Sequence, residues 1–162
     1  FVAPGISVLI QLLYEGDAGG ITHQQAKDMG YEVELEAAVK SLRAMHKRGI
    51  RILPGGDYGF SWAPHGTNAM DLQYFVKYIG MTPMEALVSA TKYGGQIMLR
   101  PDDLGQVKDG QLADLLLVDG DPVADLGVLL DKSRLLAIMK DGEFHKTPDV
   151  RTGRSRWSLS AA

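Results

Sequence analysis

The 162-residue chain is long enough for one domain with a substantial core, and its 45% apolar and 23% charged residues are those of an ordinary globular protein. A formal net charge of -3 gives no electrostatic case for nucleic acid or an anionic membrane surface as a partner. The absence of cysteine excludes disulfides and thiolate metal sites, and no apolar run approaches the roughly 20 residues of a membrane span.

The chain starts on apolar residues, "FVAPGISVLIQLLYEG", with no initiator Met, no basic leader and no small-residue cleavage site. A signal peptide is therefore not expected, a cytoplasmic location is, and the chain looks cut from the middle of a longer one. A short buried strand precedes Pro4-Gly5, and the apolar segment beyond it is compatible with helix or loop. "GDAGG" predicts a flexible turn. Thr22 followed by Gln25 fits a capping box for a short helix over 23–29, closed by Gly30.

A firmer helix is predicted over 32–48. Leu35, Ala38, Val39, Leu42 and Met45 fall at spacings of three and four on one face, and Gly49 stands where a helix stop belongs. "IRIL", residues 50–53, follows at once as a strand. A helix over about 68–79 places Leu72, Phe75, Val76 and Ile79 on one side. The next helix, 83–93, has the strongest start signal, with Thr82 as N-cap, Pro83 at the first helical position and Glu85 at the third. Leu87, Val88 and Thr91 should face the core, and Gly94-Gly95 should weaken the helix end.

Beyond residue 103 the pattern becomes β-only, which suggests a boundary there. Residues 113–118, with the β-run Leu115–Val118, read as a strand of a different sheet, and "LLAIMKDGEFHK" as two short strands about an Asp141-Gly142 turn. From about Thr147 a polar tail is expected, made basic by Arg151, Arg154 and Arg156 and read as solvated.

The chemistry concentrates in "LPGGDYGFSWAPHGTNAM". Asp57 stands immediately past a predicted buried strand and two glycines that allow close approach of a ligand. The C-terminal ends of parallel strands are where barrel and open-sheet enzymes place their sites. Asp57 is thus either a functional carboxylate or a turn residue capping its own loop. His65, eight positions on, could orient substrate, donate to an oxyanion, or cap the helix that follows. His23, His46 and His145 read as structural, His46 at a helix C-terminus that favours a cation. There is no GxxxxGK[ST], GxGxxG or GxSxG, so nucleotide binding and a serine nucleophile lack a signal.

Taken together, "LPGGDYGFSWAPHGTNAMDLQYFVKYIGMTPMEALVSAT", "LGQVKDGQLADLLLVDGDP" and "IMKDGEFHK" closely resemble the C-terminal part of the amidohydrolase superfamily, nearest to imidazolonepropionase-like and prolidase-like members. The resemblance runs from about residue 1 to residue 146. It implies an α/β fold, the C-terminal fragment of a (β/α)8 TIM barrel (residues 1–103) followed by strands of a small β-sandwich (104–146) and the polar tail (147–162). It further implies a hydrolase of amide or other C–N bonds, with one or two divalent metals, zinc by default, in the complete enzyme. Asp57 matches the carboxylate that binds metal and handles the proton of the attacking water; Tyr58, Trp62 and His65 fall in the loop that contacts substrate.

The family's paired HxH histidines, its bridging Lys and its later metal-binding histidines have no counterpart in this chain. The chain alone is therefore expected to bind no catalytic metal tightly and to show no turnover. Its partners would be a small amide or dipeptide-like substrate and, through unpaired barrel edges, further copies of itself. The alternatives are a non-catalytic fragment that self-associates, and a prolidase-like dipeptidase or a lactone or ester hydrolase on the same scaffold.

Overall fold

Ile52 and Leu53 are buried, and they meet the chain's first residues side by side and parallel. In this computed structural model, which describes residues 1–15 and 20–148, Val2 N–H donates to Arg51 O (2.9 Å) and Leu53 N–H to Val2 O (2.8 Å). The two expected strands amount to that single bridge, Val2 to Ile52. The physical reason is local. The next rung of a parallel ladder would need an N–H from Pro4, which has none, and one from Gly55, which is donated to Asp71 instead. Residues 16–19 of the expected turn, Arg151, Arg154 and Arg156, and the tail from 149 lie outside the described residues.

Helix α1 (Ile6–Ile10) runs on into a wider π-helical turn over Gln11–Glu15, so the ambiguous apolar segment is helical. Helix α2 (His23–Asp28) starts at the Thr22–Gln25 capping box, with both reciprocal bonds made. Gly30, at φ +89°, then leads into α3 (Tyr31–Lys47). On α3, Leu35 and Leu42 are buried, while Ala38, Val39 and Met45 pack against the core, as the stripe predicts. Gly49 (φ +73°) ends the helix with Gly49 N–H on His46 O and Ile50 N–H on Met45 O.

Helix α4 (Met70–Tyr74) also continues as a π-helical turn, Phe75–Ile79, ended by Gly80 at φ +89°. Leu72, Phe75 and Ile79 are buried there, joining Ile6, Ile10 and Leu13 of the first helical segment in one core. Full burial of each such side chain stabilises by roughly 1.5–3 kcal/mol.

Helix α5 (Pro83–Ala90) and α6 (Lys92–Ile97) replace the single helix expected over 83–93. The break is at Thr91 (φ −110°, ψ −79°), not at the glycines. Thr91 is exposed where the sequence predicts a core position, and its hydroxyl donates back to Leu87 O at 2.8 Å, a bond that bends helices. The glycines serve close approach. A Cβ on Gly95 would lie 2.4 Å from Leu104 O, and one on Gly105 2.3 Å from Thr91 O. The turn after residue 103 thus nests against α6.

The Thr82 cap is complete: Thr82 Oγ1 accepts from Glu85 N–H (3.2 Å) and Glu85 accepts from Thr82 N–H (2.7 Å). The Thr82 N–H, then its hydroxyl, hold the Glu85 carboxyl below its ordinary 4.5. A depressed carboxyl stabilises the fold above its unfolded pKa, so this contribution is lost as pH falls below about 4.5. Thr82→Ala should cost about 1 kcal/mol near neutral pH. Its stability should also fall less steeply than wild type below that pH, which thermal melts across the acid range would check.

The β-only part forms one antiparallel sheet in the order β1 (Leu115–Val118), β2 (Leu135–Lys140), β3 (Glu143–Lys146). Leu115 pairs with Met139 and Leu117 with Ala137. Asp141 (φ 52°) and Gly142 (φ 82°) both have the positive φ that a type I′ hairpin requires. Between β1 and β2, the short 3-10 turn Leu126–Leu129 lies against α4, and Leu126 belongs to the same core as the helices. Among the described residues no helix is long and apolar enough to cross a membrane.

Candidate active site beyond residues 50–53

Pro54, Gly55, Gly56 and Asp57 carry the chain out of the core. Gly55 lies so close to the N-terminal segment that a Cβ there would be 3.0 Å from Ala3 Cβ. Gly56 is buried beneath Tyr58, whose ring would stand 2.6 Å from any Cβ at that position. Asp57 then takes φ +54°, a left-handed conformation that costs a non-glycine residue on the order of 1 kcal/mol, though Asp tolerates it better than most. Its carboxylate is exposed and has no hydrogen bond or ion pair among the described residues. The turn-capping alternative would have tied that carboxylate to its own loop.

The residues after Asp57 form a small closed loop. Gly59 N–H donates to Ala63 O (2.8 Å) and Ala63 N–H to Phe60 O (3.1 Å), so Phe60 and Ala63 face each other. Phe60 and Trp62 stack with centroids 4.8 Å apart. Trp62 packs against the core, and its Nε1–H is buried without an acceptor among the described residues. His65 is exposed, with its Nε2 3.3 Å from where a Gly59 Cβ would stand. Thr67 Oγ1 donates to Pro64 O at 2.7 Å and closes the turn before α4. Tyr58 is half-buried. Its hydroxyl donates to Asp71 Oδ1 (2.8 Å), and burial first, then that bond, pushes it well above the ordinary tyrosine range. The Tyr58 hydroxyl is therefore a fixed donor.

Asp71 is the residue that sequence reasoning missed. It is 1% exposed, on a helix face otherwise apolar. Three donors converge on its carboxylate: Ser7 Oγ–H, Tyr58 Oη–H and, on the other oxygen, Gly55 N–H at 2.8 Å. A signal was available. Asp71 stands four and eight positions before Phe75 and Ile79, on the very stripe that predicts the core, and a carboxylate there has to be paired.

The other histidines lie elsewhere: His46 is 3.9 Å from Glu85 at the end of α3, and His145 is exposed on β3. A cavity of about 210 Å3, lined by His46, Ile50, Met81, Met84 and Tyr93, sits at the start of the 50–53 segment, away from Asp57. Among the described residues no three His, Cys, Asp or Glu side chains are gathered closely enough to hold a metal. On this closely packed loop Asp57 is a free, accessible carboxylate.

That geometry can be set beside known proteins. Over 120 residues the chain is 30% identical to ochratoxinase of Aspergillus niger, covering 71% of this chain and 23% of that protein. The crystal structure of A. niger ochratoxinase superposes with a TM-score of 0.72 at 27% identity, over 90% of this chain and 32% of the other. Imidazolonepropionase of Aeromonas hydrophila is 26% identical over 108 residues, 67% of this chain and 26% of that one. A Bifidobacterium longum structure assigned as a prolidase matches with a TM-score of 0.78 at 28% identity, over 90% of this chain and 35% of its own. The chain spans about a quarter of the length of the curated relatives it matches. Residues 15–144 match the model of the amidohydrolase family, and with an α/β fold resembling solved amidohydrolases and a small antiparallel sheet beside it, the chain belongs to that family.

Proposed function

We propose that this chain is the C-terminal part of a metal-dependent amidohydrolase that cleaves an amide or related C–N bond. Residues 1–103 would be the last βα units of its (β/α)8 barrel, 104–146 part of the adjoining β-sandwich, and 147–162 a tail. The observation that carries the reading is Asp57: an unpartnered carboxylate, held at positive φ, directly beyond two closely packed glycines. Family membership supports it, and the likeness to a structure assigned as a prolidase supports a dipeptide-like substrate class.

A free carboxylate suits one ligand position for a divalent metal, and a catalytic site of this kind takes about three protein ligands, so the others must come from outside this chain. Bound there, the metal, zinc by default for His and Asp donors, would supply Lewis acidity toward water and the scissile carbonyl. Asp57 takes the proton of the attacking water and returns it to the leaving nitrogen, as a general base turned acid. Tyr58, Trp62 and His65 shape the substrate side. Tyr58 would offer its ring, since its hydroxyl is committed, and His65, exposed beside Gly59, would donate toward the carbonyl oxygen.

Two measurements test the reading. In the full-length enzyme, a chelator should abolish hydrolysis of N-acyl amino acids or dipeptides, and added zinc should restore it. The 162-residue chain alone should retain no stoichiometric zinc after dialysis and show no turnover; unpaired edges should make it self-associate. Chelator-indifferent hydrolysis by the full-length enzyme would overturn the proposal.

A further inference from the structure

Two residues flank Asp57 in an unusual way. Gly55, two positions before it, donates its backbone N–H to Asp71 Oδ2, and Tyr58, one position after it, donates its hydroxyl to Asp71 Oδ1. The chain on both sides of Asp57 is thus tied to the same buried carboxylate. Ser7 of α1 supplies the third donor, so the carboxylate is itself held between α1 and α4. A carboxylate only accepts, and every partner it has here donates, so the arrangement leaves no mismatch. Between the two ties Asp57 holds φ +54°, a left-handed conformation that Asp adopts at modest cost.

We propose that Asp71 is a positioning residue that aims the Asp57 carboxylate by holding the backbone before it, at Gly55, and the side chain after it, at Tyr58. Asp71 is 1% exposed and would act through Gly55 and Tyr58, with Ser7 orienting it. The inference rests on the reading of Asp57 as metal ligand and base. The physical argument is that a reacting group displaced by about 1 Å can lose on the order of a hundredfold in rate, while substrate binding by other residues is little affected.

The test uses the full-length, metal-loaded enzyme with Asp71→Asn, Tyr58→Phe and Asp57→Asn. The readouts are kcat, KM, metal content, and hydrogen exchange over residues 54–60 against residues 31–47 of α3. Asp71→Asn should lower kcat by about tenfold to a hundredfold with KM within about threefold, by the same positioning argument. Exchange should accelerate over 54–60 and stay unchanged over 31–47, a split that a general stabiliser would not produce. Tyr58→Phe keeps the ring and removes one of the ties, so a smaller loss in kcat with the same local acceleration is expected; it decides the question should Asp71→Asn fail to fold. Wild-type kcat in Asp71→Asn and Tyr58→Phe, with Asp57→Asn impaired, would overturn this inference alone. Acceleration spread equally over α3 would overturn it too, by making Asp71 a stabiliser only. Wild-type kcat in Asp57→Asn itself would overturn the reading of Asp57 and, with it, the catalytic purpose of the clamp.

Discussion

Asp57→Asn in the full-length enzyme is expected to lower kcat by roughly 10²–10⁴-fold, the range that positioned proton transfer contributes. The substitution keeps the size of the side chain and one oxygen but removes its charge and basicity. Asp57 makes no hydrogen bond or ion pair among the described residues, so no structural interaction is lost with the charge. Asn also tolerates a φ of +54° about as well as Asp, so the loop should keep its shape. Stability should therefore be close to wild type. KM should change far less than kcat if, as proposed, Tyr58, Trp62 and His65 and not the carboxylate shape the substrate side. His65→Ala should show a smaller loss that varies with the substrate tested. The measurement is kcat and KM for both variants, with metal content determined on each. If Asp57→Asn keeps its metal and stays within a few-fold of wild-type kcat, the carboxylate is a turn residue and the mechanism is wrong.

Phe75→Ala is expected to destabilise the fold by about 3–5 kcal/mol, the cost of emptying a fully buried aromatic site. Phe75 is fully buried and stands where α4 passes into its wider turn. Its carbonyl accepts from Gly80 N–H (3.0 Å) and Met81 N–H (3.3 Å), so the backbone around the cavity is held and cannot collapse into it. Single domains are stable by only about 5–15 kcal/mol, so a loss of this size takes a large share of the total. A control at Val33, which is 71% exposed, should shift stability by less than about 0.5 kcal/mol on truncation to Ala. Urea unfolding followed by far-ultraviolet circular dichroism would measure both. A midpoint for Phe75→Ala equal to wild type would mean that the core is not organised around this ring. Phe75 also follows Asp71 by one turn on the same buried face, so the packing that keeps the ring in place also holds the segment that carries Asp71.

The features legible in the sequence are those written into neighbouring residues. The capping boxes at Thr22 and Thr82 are made as their spacing predicts, because cap and partner lie within one helical turn. Gly30 and Gly49 bound their helices, and the Asp141-Gly142 turn joins β2 to β3, because positive φ is a property of the residues themselves. The apolar stripe of α3 faces the core, and the family likeness read from motifs spread along the chain is matched over residues 15–144. What only the tertiary structure decided depends on residues far apart along the chain. The 50–53 strand shrinks to one bridge because Pro4 has no N–H to offer and Gly55 gives its own to Asp71. The helix from Pro83 breaks at Thr91, where the turn at Gly105 comes into backbone contact. Asp71 on a buried face is a conflict when read alone; Ser7, Gly55 and Tyr58 resolve it, and Ser7 lies 64 positions away. Periodicity records which face of an element is buried, but not which donors the fold will bring to a buried carboxylate, because that pairing is made across the chain and leaves no pattern along it.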